Sequence, residues 1–249
     1  MNVFVCIKRV ASTNTTIKIA ADGKSIDSNG VEFELNPYDE FAVEQALQTV
    51  EAAGSGEVTV VTLGGTDSVK ELRDCLARGA DKAVLLKHDG VADAHATSQM
   101  LASWLREQNP DLVFMGKQAV DGDNSQVPQR VATTLDAACI TEVKKLSFGD
   151  GRFTAERDIE GGREIVTCST PAVISTNKGL NEPRYANLKG IMKAKKKPLE
   201  EIDIPAASPA VTVVSMVLPP ERGQGRIVGE GPDAVNSLVE ALKNEAKVL

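Results

Sequence analysis

Short apolar runs of strand length alternate, along the first half of this chain, with longer segments whose apolar residues recur at helical spacing. Val3-Phe4-Val5-Cys6-Ile7, Val58-Thr59-Val60-Val61-Thr62-Leu63, Ala83-Val84-Leu85-Leu86 and Leu112-Val113-Phe114-Met115 are continuous, which is the pattern of strands covered on both faces. Between them lie helices with recognisable starts. Asn36 and Pro37 precede Phe41, Ala42, Ala46 and Leu47 as cap and first helical residue, with Asp39 and Glu40 in the electropositive first turn. Thr66 opens a second helix ending near Arg78-Gly79. A third runs from about Asp93 to Gln108, before Pro110, and carries Met100, Leu101, Trp104 and Leu105; a fourth follows Asn124. The alternation predicts an α/β fold: a doubly wound, mainly parallel sheet with helices on both faces and crossovers of one hand.

Beyond Thr141 the pattern changes. Phe153 to Arg157 and Glu164 to Cys168 alternate apolar with polar and are separated by Glu160-Gly161-Gly162, which predicts an antiparallel hairpin added to the sheet. Pro171 to Ser175 reads as a last buried strand. From Glu200 to Pro220 no helical period survives, and the chain continues through Gly223, Gly225, Gly229 and Gly231 to a predicted terminal helix, Asp233 to Lys247. The expected division is an α/β domain over 1–199 and a C-terminal arm and helix over 200–249.

Charge adds one anomaly. The chain of 249 residues carries a net charge of −7, yet Arg184, Lys189, Lys193, Lys195, Lys196 and Lys197 concentrate in a segment where Glu182 is the sole acid. Pro183 and Pro198 bracket it and Gly190 interrupts it, so a short helix or exposed loop is expected. The acidic balance and nine aromatic residues argue against nucleic acid. Leu188 and Met192, at i and i+4, make a small apolar face ringed by lysine, suited to docking on an acidic protein partner. No apolar run is long enough for a transmembrane segment, and no export signal is visible. Cys6, Cys75, Cys139 and Cys168 are too widely spaced, with only His88 and His95 beside them, for a metal site; reduced, mostly buried thiols of a cytoplasmic protein are expected.

In an open α/β sheet ligands bind at the carboxyl ends of the strands. Three polar loops follow such ends: Lys8-Arg9, then Gly64-Gly65-Thr66-Asp67-Ser68, then Gly116 to Val127. Glycine permits close backbone approach to phosphate, and helix starts supply free N–H groups. None matches a dinucleotide or P-loop fingerprint. In the third loop Lys117, Gln118, Asp121, Asp123, Asn124 and Gln126 crowd donors and acceptors that a plain connection does not need, suited to adenine edges and ribose hydroxyls. No Ser-His-Asp or Cys-His arrangement is present, so catalytic residues are expected to be absent.

Five motifs in order resemble the β, or small, subunit of electron transfer flavoproteins: Val5 to Val10; Asn36 to Glu44; Gly116-Lys117-Gln118-Ala119-Val120-Asp121; the Glu156-Arg157 to Gly161-Gly162 hairpin; and Leu180-Asn181-Glu182-Pro183-Arg184-Tyr185 through Lys197. The resemblance spans nearly the whole chain. It implies an adenine-nucleotide-binding α/β subunit, paired with an α subunit that holds most of the redox FAD. Such a heterodimer carries electrons between flavin dehydrogenases, such as acyl-CoA dehydrogenase, and a quinone reductase or other acceptor. Carried over by position, it implies nucleotide contacts from Cys6, Asn36, Pro37, Tyr38, Asp39 and Leu63. It implies others from Gly116, Lys117, Gln118, Ala119, Val120, Asp121, Gly122, Asp123, Asn124, Ser125, Gln126 and Val127. The segment 181–198 corresponds to a partner-recognition loop with Leu188 as its anchor, supported by Met192, Arg184, Lys189 and Lys193.

The nucleotide of this chain is expected to be AMP or a second FAD. Asp121-Gly122-Asp123 with Gln126-Val127, and Ala92-Asp93 with Ala96-Thr97-Ser98, are similar to the electron-bifurcating members, which hold FAD here. Asn181 to Tyr185, Gly161-Gly162 and Gly116-Lys117-Gln118 are similar to the simple carriers, which hold AMP. The balance favours FAD, because the divergent residues lie in the nucleotide loops. Two readings from other classes remain beside this one. Leu63 to Ser68 approaches the Ser-Gly-Gly-x-Asp-Ser loop of ATP pyrophosphatases, without its leading serine; a nucleotide sensor would explain the loops but not the basic segment.

Overall fold

In the computed structural model, which describes residues 1–149, 151–221 and 224–249, the parallel strands are the apolar runs of the sequence. They are β1 (Asn2–Cys6), β4 (Glu57–Gly64), β5 (Lys82–Lys87), β6 (Leu112–Gly116) and β10 (Ala172–Thr176). A small antiparallel ribbon, β2 (Arg9–Ala11) with β3 (Phe33–Leu35), lies between β1 and the first helix. The long β7 (Ala138–Gly149) continues into the hairpin β8 (Arg152–Ile159) and β9 (Gly162–Cys168), as the alternation predicts, while the edge strand β11 (Leu199–Asp203) lies where extended arm was expected. The main sheet runs β11-β5-β4-β1-β6-β10-β7-β8-β9 and is parallel from β11 to β7, with β8 and β9 antiparallel. The sheet therefore claims the chain through Asp203, beyond residue 199.

Side-chain alternation along each strand divides the core into two layers. Val3, Val5, Val58, Val60, Leu85, Leu112 and Phe114 face α1 (Pro37–Ala53) and α2 (Val69–Arg78). Phe4, Cys6, Val61, Leu86, Val113 and Met115 face α3 (Ala94–Gln108) and α4 (Val127–Leu135). Every second residue of a strand thus belongs to the same layer, which explains why these runs are mostly apolar, broken by hydroxyl side chains such as Thr59 and Thr62 and not by alternating charge. Leu105, Phe114 and Ile174 are wholly buried, each stabilising by about 1.5–3 kcal/mol. Phe4 meets Trp104 edge to face, with ring centroids 5.6 Å apart.

Helix boundaries follow local chemistry, with three departures. Asp93 caps α3 by accepting the N–H of Ala96 at 2.8 Å, and Asn109 ends that helix in the left-handed conformation before Pro110. Asn36 stands at the cap position of α1 but its side chain makes no cap bond, because it is used elsewhere. Thr66 starts a 3₁₀ turn through Ser68, and α2 begins only at Val69. The terminal helix is also shorter than expected: a 3₁₀ turn, Pro232–Ala234, leads into α6 (Val235–Glu240) and a π turn, Ala241–Ala246. These elements bury none of their residues, so no packed face enforces one helical period. Gly223 lies outside the described residues. Cys6 and Cys75 are buried, and burial pushes both thiols well above their ordinary range; Cys168 is half-buried and Cys139 exposed, more open than the sequence suggests.

Candidate functional site: a crevice at the sheet's switch point

Chain order reverses between β1 and β6, since β4 and β5 extend the sheet to one side and β6 and β10 to the other. Beyond the carboxyl ends of the strands at that point lies a crevice of about 600 Å³. Its floor is Cys6, Leu63, Met115 and Gly116, and its walls are the loop after β6 and the starts of α3 and α4.

Two polar side chains from the start of α1 assemble this crevice. Asp39 is 5% exposed. Its Oδ2 accepts the N–H of Lys8 at 2.7 Å, leaving β1, and its Oδ1 accepts that of Gly116 at 3.0 Å, ending β6. Burial pushes this carboxyl up to about 7, against the pull of Asn36 and of the two N–H groups. Asn36, also buried, donates Nδ2 to the Gln118 carbonyl at 2.9 Å and accepts the Val120 N–H at 3.1 Å through Oδ1. One helix start thereby fixes the ends of both switch-point strands and the loop after β6. Thr176 closes the arrangement, its hydroxyl lying 3.1 Å from the Tyr38 carbonyl and 3.2 Å from that of Met115.

The loop itself is braced from within. Gln118 donates to Asp123 at 2.6 Å and accepts from Ser125 at 2.7 Å, while Asp123 and Ser125 both hold positive φ. Lys117 Nζ lies 3.4 Å from Glu142, itself at a bulge of β7 with φ +61°, and sits over the Tyr38 ring. Lys8 and Asp121 pair at 2.6 Å on the rim. At the start of α4, Gln126 makes no side-chain cap bond and the first turn carries no acid, so the end of the helix keeps its positive potential toward the crevice. Arg130, one turn further, also lines it.

Of the residues expected to contact a nucleotide, Cys6, Asn36, Asp39, Leu63, Gly116, Lys117, Gln118, Ala119, Asp121, Gly122, Asn124, Gln126 and Val127 line the crevice. Pro37, Tyr38, Val120, Asp123 and Ser125 do not; they shape the helix start and the loop behind it. His88, His95 and Arg130, together with Ala210 and Val211 of the arm, line the crevice without having been expected there; Asp93, singled out in the sequence beside Ala92 for its likeness to FAD-holding members, lines it too. His88 carried a signal that a sequence cannot display. Its Nε2 is buried with no hydrogen-bond partner among the described residues, and the ring lies against Gly90, where an added Cβ would stand 3.0 Å away.

The basic segment forms α5 (Leu188–Ala194) and is bolted at both ends. Arg184 bonds Glu44 at 2.8 Å and Glu51 at 2.7 Å, so its charge is spent on α1. Lys197 donates to the carbonyls of Leu76, Gly79 and Ala80, capping the end of α2. Gly190 packs so closely on α2 that a Cβ there would lie 2.3 Å from the Ala77 carbonyl oxygen. Between these anchors Leu188 is 78% exposed and Tyr185 90%, with Met192, Ile191, Lys189 and Lys193 also exposed. Among the described residues no cluster of side chains suits a metal ion, and no helix is long and apolar enough to cross a membrane.

The fold and crevice define a doubly wound α/β protein built around a ligand site at its topological switch point. Residues 24–207 match the model of the electron transfer flavoprotein domain. The chain is 40% identical to the electron transfer flavoprotein subunit beta of Bacillus subtilis and 38% to that of Bradyrhizobium diazoefficiens, in each case over the whole of both chains. It is 36% identical, again over full length, to the mitochondrial subunit beta of Oryza sativa. This chain belongs to the electron transfer flavoprotein β-subunit family, whose members are electron carrier subunits and not enzymes. Membership sets aside the ATP-pyrophosphatase reading of the Gly64-Gly65 loop, which follows the interior strand β4.

Proposed function

We propose that this chain pairs with an α subunit as half of a heterodimeric electron transfer flavoprotein, and that its crevice holds an adenine nucleotide, FAD in preference to AMP. The observation that carries the reading is the way Asn36 and Asp39 hold both switch-point strands and the following loop around one cavity. Such a preformed site suits a retained ligand. The residues fit a nucleotide chemically. The open end of α4 and Arg130 offer donors and positive potential to phosphate, and Gln118, Asn124 and Gln126 offer donors and acceptors to sugar or base. His88 Nε2 waits for a partner. A flavin, when bound in the heterodimer, supplies the redox chemistry. The residues of this chain position the nucleotide, shield it and present the complex to other proteins.

The exposed face of α5 is the docking surface of this reading. Leu188 anchors the dehydrogenase partner with Met192 beside it, Lys189 and Lys193 steer it, and Arg184 holds the segment in place from behind. The arm beyond the sheet, which exposes Val214, Val217, Leu218 and Ile227, packs on the α subunit. The test is the nucleotide content of the protein copurified with its partner. Two FAD per heterodimer supports the FAD reading and one FAD with one AMP the simple carrier; neither nucleotide overturns the site.

A further inference from the structure

One carboxylate joins the C-terminal arm to the wall of the crevice. Asp93 Oδ1 accepts the N–H of Ala96 and caps the fifteen-residue α3. Its other oxygen, Oδ2, accepts two N–H groups from far along the chain, Ala210 at 2.8 Å and Val211 at 2.9 Å. Both arm residues line the crevice. The arm arrives there from β11 with Ile202 and Ile204 packed on the α3 and α4 layer, and beyond Val211 its next backbone tie among the described residues is Met216 to the Gly23 carbonyl.

Resting on the nucleotide reading above, we propose that Asp93 is a latch that closes the arm over the crevice and thereby slows the escape of the bound nucleotide. Only a carboxylate suits this task. Three N–H donors need acceptor capacity on two oxygens; serine has one oxygen and asparagine one acceptor oxygen, so either can cap α3 but cannot also hold both arm amides. The Ala96 N–H, and after it those of Ala210 and Val211, hold the Asp93 carboxyl below the usual carboxylate range. The latch is therefore charged, and both sets of bonds persist together at neutral pH. Asp93 is a positioning residue: it acts on the nucleotide through the arm. Because the same arm carries the surface assigned to the α subunit, formation of the heterodimer and retention of the nucleotide become linked through one side chain.

The test uses the full chain copurified with its partner, loaded with FAD or AMP, and follows nucleotide release after dilution together with hydrogen exchange at the Ala210 and Val211 amides. Asp93→Ser keeps an α3 cap and releases the latch; Ala210→Pro removes one arm donor without touching the cap. Both variants are expected to lose nucleotide about tenfold faster, with faster exchange at the arm amides that remain. Wild-type release from both variants overturns the latch alone. Faster release from Asp93→Ser but not from Ala210→Pro assigns the effect to the helix cap and also overturns it. A wild-type protein that retains neither nucleotide overturns the underlying reading.

Discussion

Asp39 Oδ1 and the backbone N–H of Gly116 meet at 3.0 Å, and no side chain can stand at position 116 without separating them. A Cβ there would lie 2.3 Å from that oxygen, 2.7 Å from the Tyr38 Cβ and 2.9 Å from the Tyr38 carbonyl carbon. Two of these atoms belong to a helix start that cannot move aside, so Gly116→Ala must break the bond or shift β6. The expected cost is about 2–4 kcal/mol, combining overpacking with a buried hydrogen bond lost, alongside loss of bound nucleotide. Urea unfolding of Gly116→Ala beside Gly122→Ala checks this. At position 122 an added Cβ would meet only Asn124, at 3.8 Å, so a comparable loss there would refute the steric account.

The same carboxylate predicts a pH dependence. Burial raises the Asp39 carboxyl from 3.8 to about 7. Between those values the folded protein holds a proton that the unfolded chain releases, so this group's contribution to stability falls as pH rises from about 4 to about 7, then levels off. The slope due to Asp39 is at most about 1.4 kcal/mol per pH unit. Asp39→Asn removes the titration, and the difference between wild-type and variant unfolding free energies at pH 4.5, 6 and 7.5 isolates it. A difference that stays constant with pH would show that the carboxyl does not titrate in that interval.

The course of the sheet was readable because its strands are covered on both faces, and such strands carry few polar positions to blur the signal. Val58 to Leu63 and Leu112 to Met115 announce themselves in this way. Strands β2, β3 and β11 did not, being three to five residues long and half-exposed, so their pairing depends on neighbours distant in sequence. The site divides similarly. The loop after β6 was legible from its density of polar side chains. That Asn36 would leave its helix cap to hold that loop was not, since its partners lie 82 and 84 residues away. Nor could Asp93 be connected with Ala210 and Val211 across more than a hundred residues.

Arg184 and Leu188 stand four residues apart and are expected to fail in opposite ways. Glu44, with its side chain 5% exposed, takes the Arg184 guanidinium at 2.8 Å. Burial pushes the Glu44 carboxyl up, and the Arg184 bonds more than reverse this, leaving it below the usual range. Arg184→Ala is expected to cost about 1–2 kcal/mol, less than a wholly buried pair because solvent screens the guanidinium. The loss is present above the ordinary carboxylate pKa and fades as pH falls through the lowered value of Glu44. Leu188→Ala is expected to leave unfolding unchanged and to slow electron exchange with the dehydrogenase partner. Denaturation curves and stopped-flow exchange on both variants separate an anchor of the segment from its contact face; a destabilised Leu188→Ala would make Leu188 structural.

His88 presents the reverse of an ordinary core mutation. Its Nε2 is buried against the crevice with no partner among the described residues, a cost of about 1–3 kcal/mol that a ligand hydroxyl or phosphate oxygen can offset. Leucine at this position has similar bulk and no polar atom. His88→Leu is therefore expected to leave the nucleotide-free protein as stable as wild type or slightly more so, while weakening nucleotide binding about tenfold, or about 1.4 kcal/mol. Thermal unfolding with and without added FAD or AMP measures both effects in one experiment: without nucleotide the variant's melting temperature should match or exceed wild type, and its rise on adding nucleotide should be smaller than that of wild type. Equal nucleotide-induced shifts in the two proteins would mean that the ligand lies clear of His88, and would confine the nucleotide to the side of the crevice formed by the loop after β6 and the start of α4.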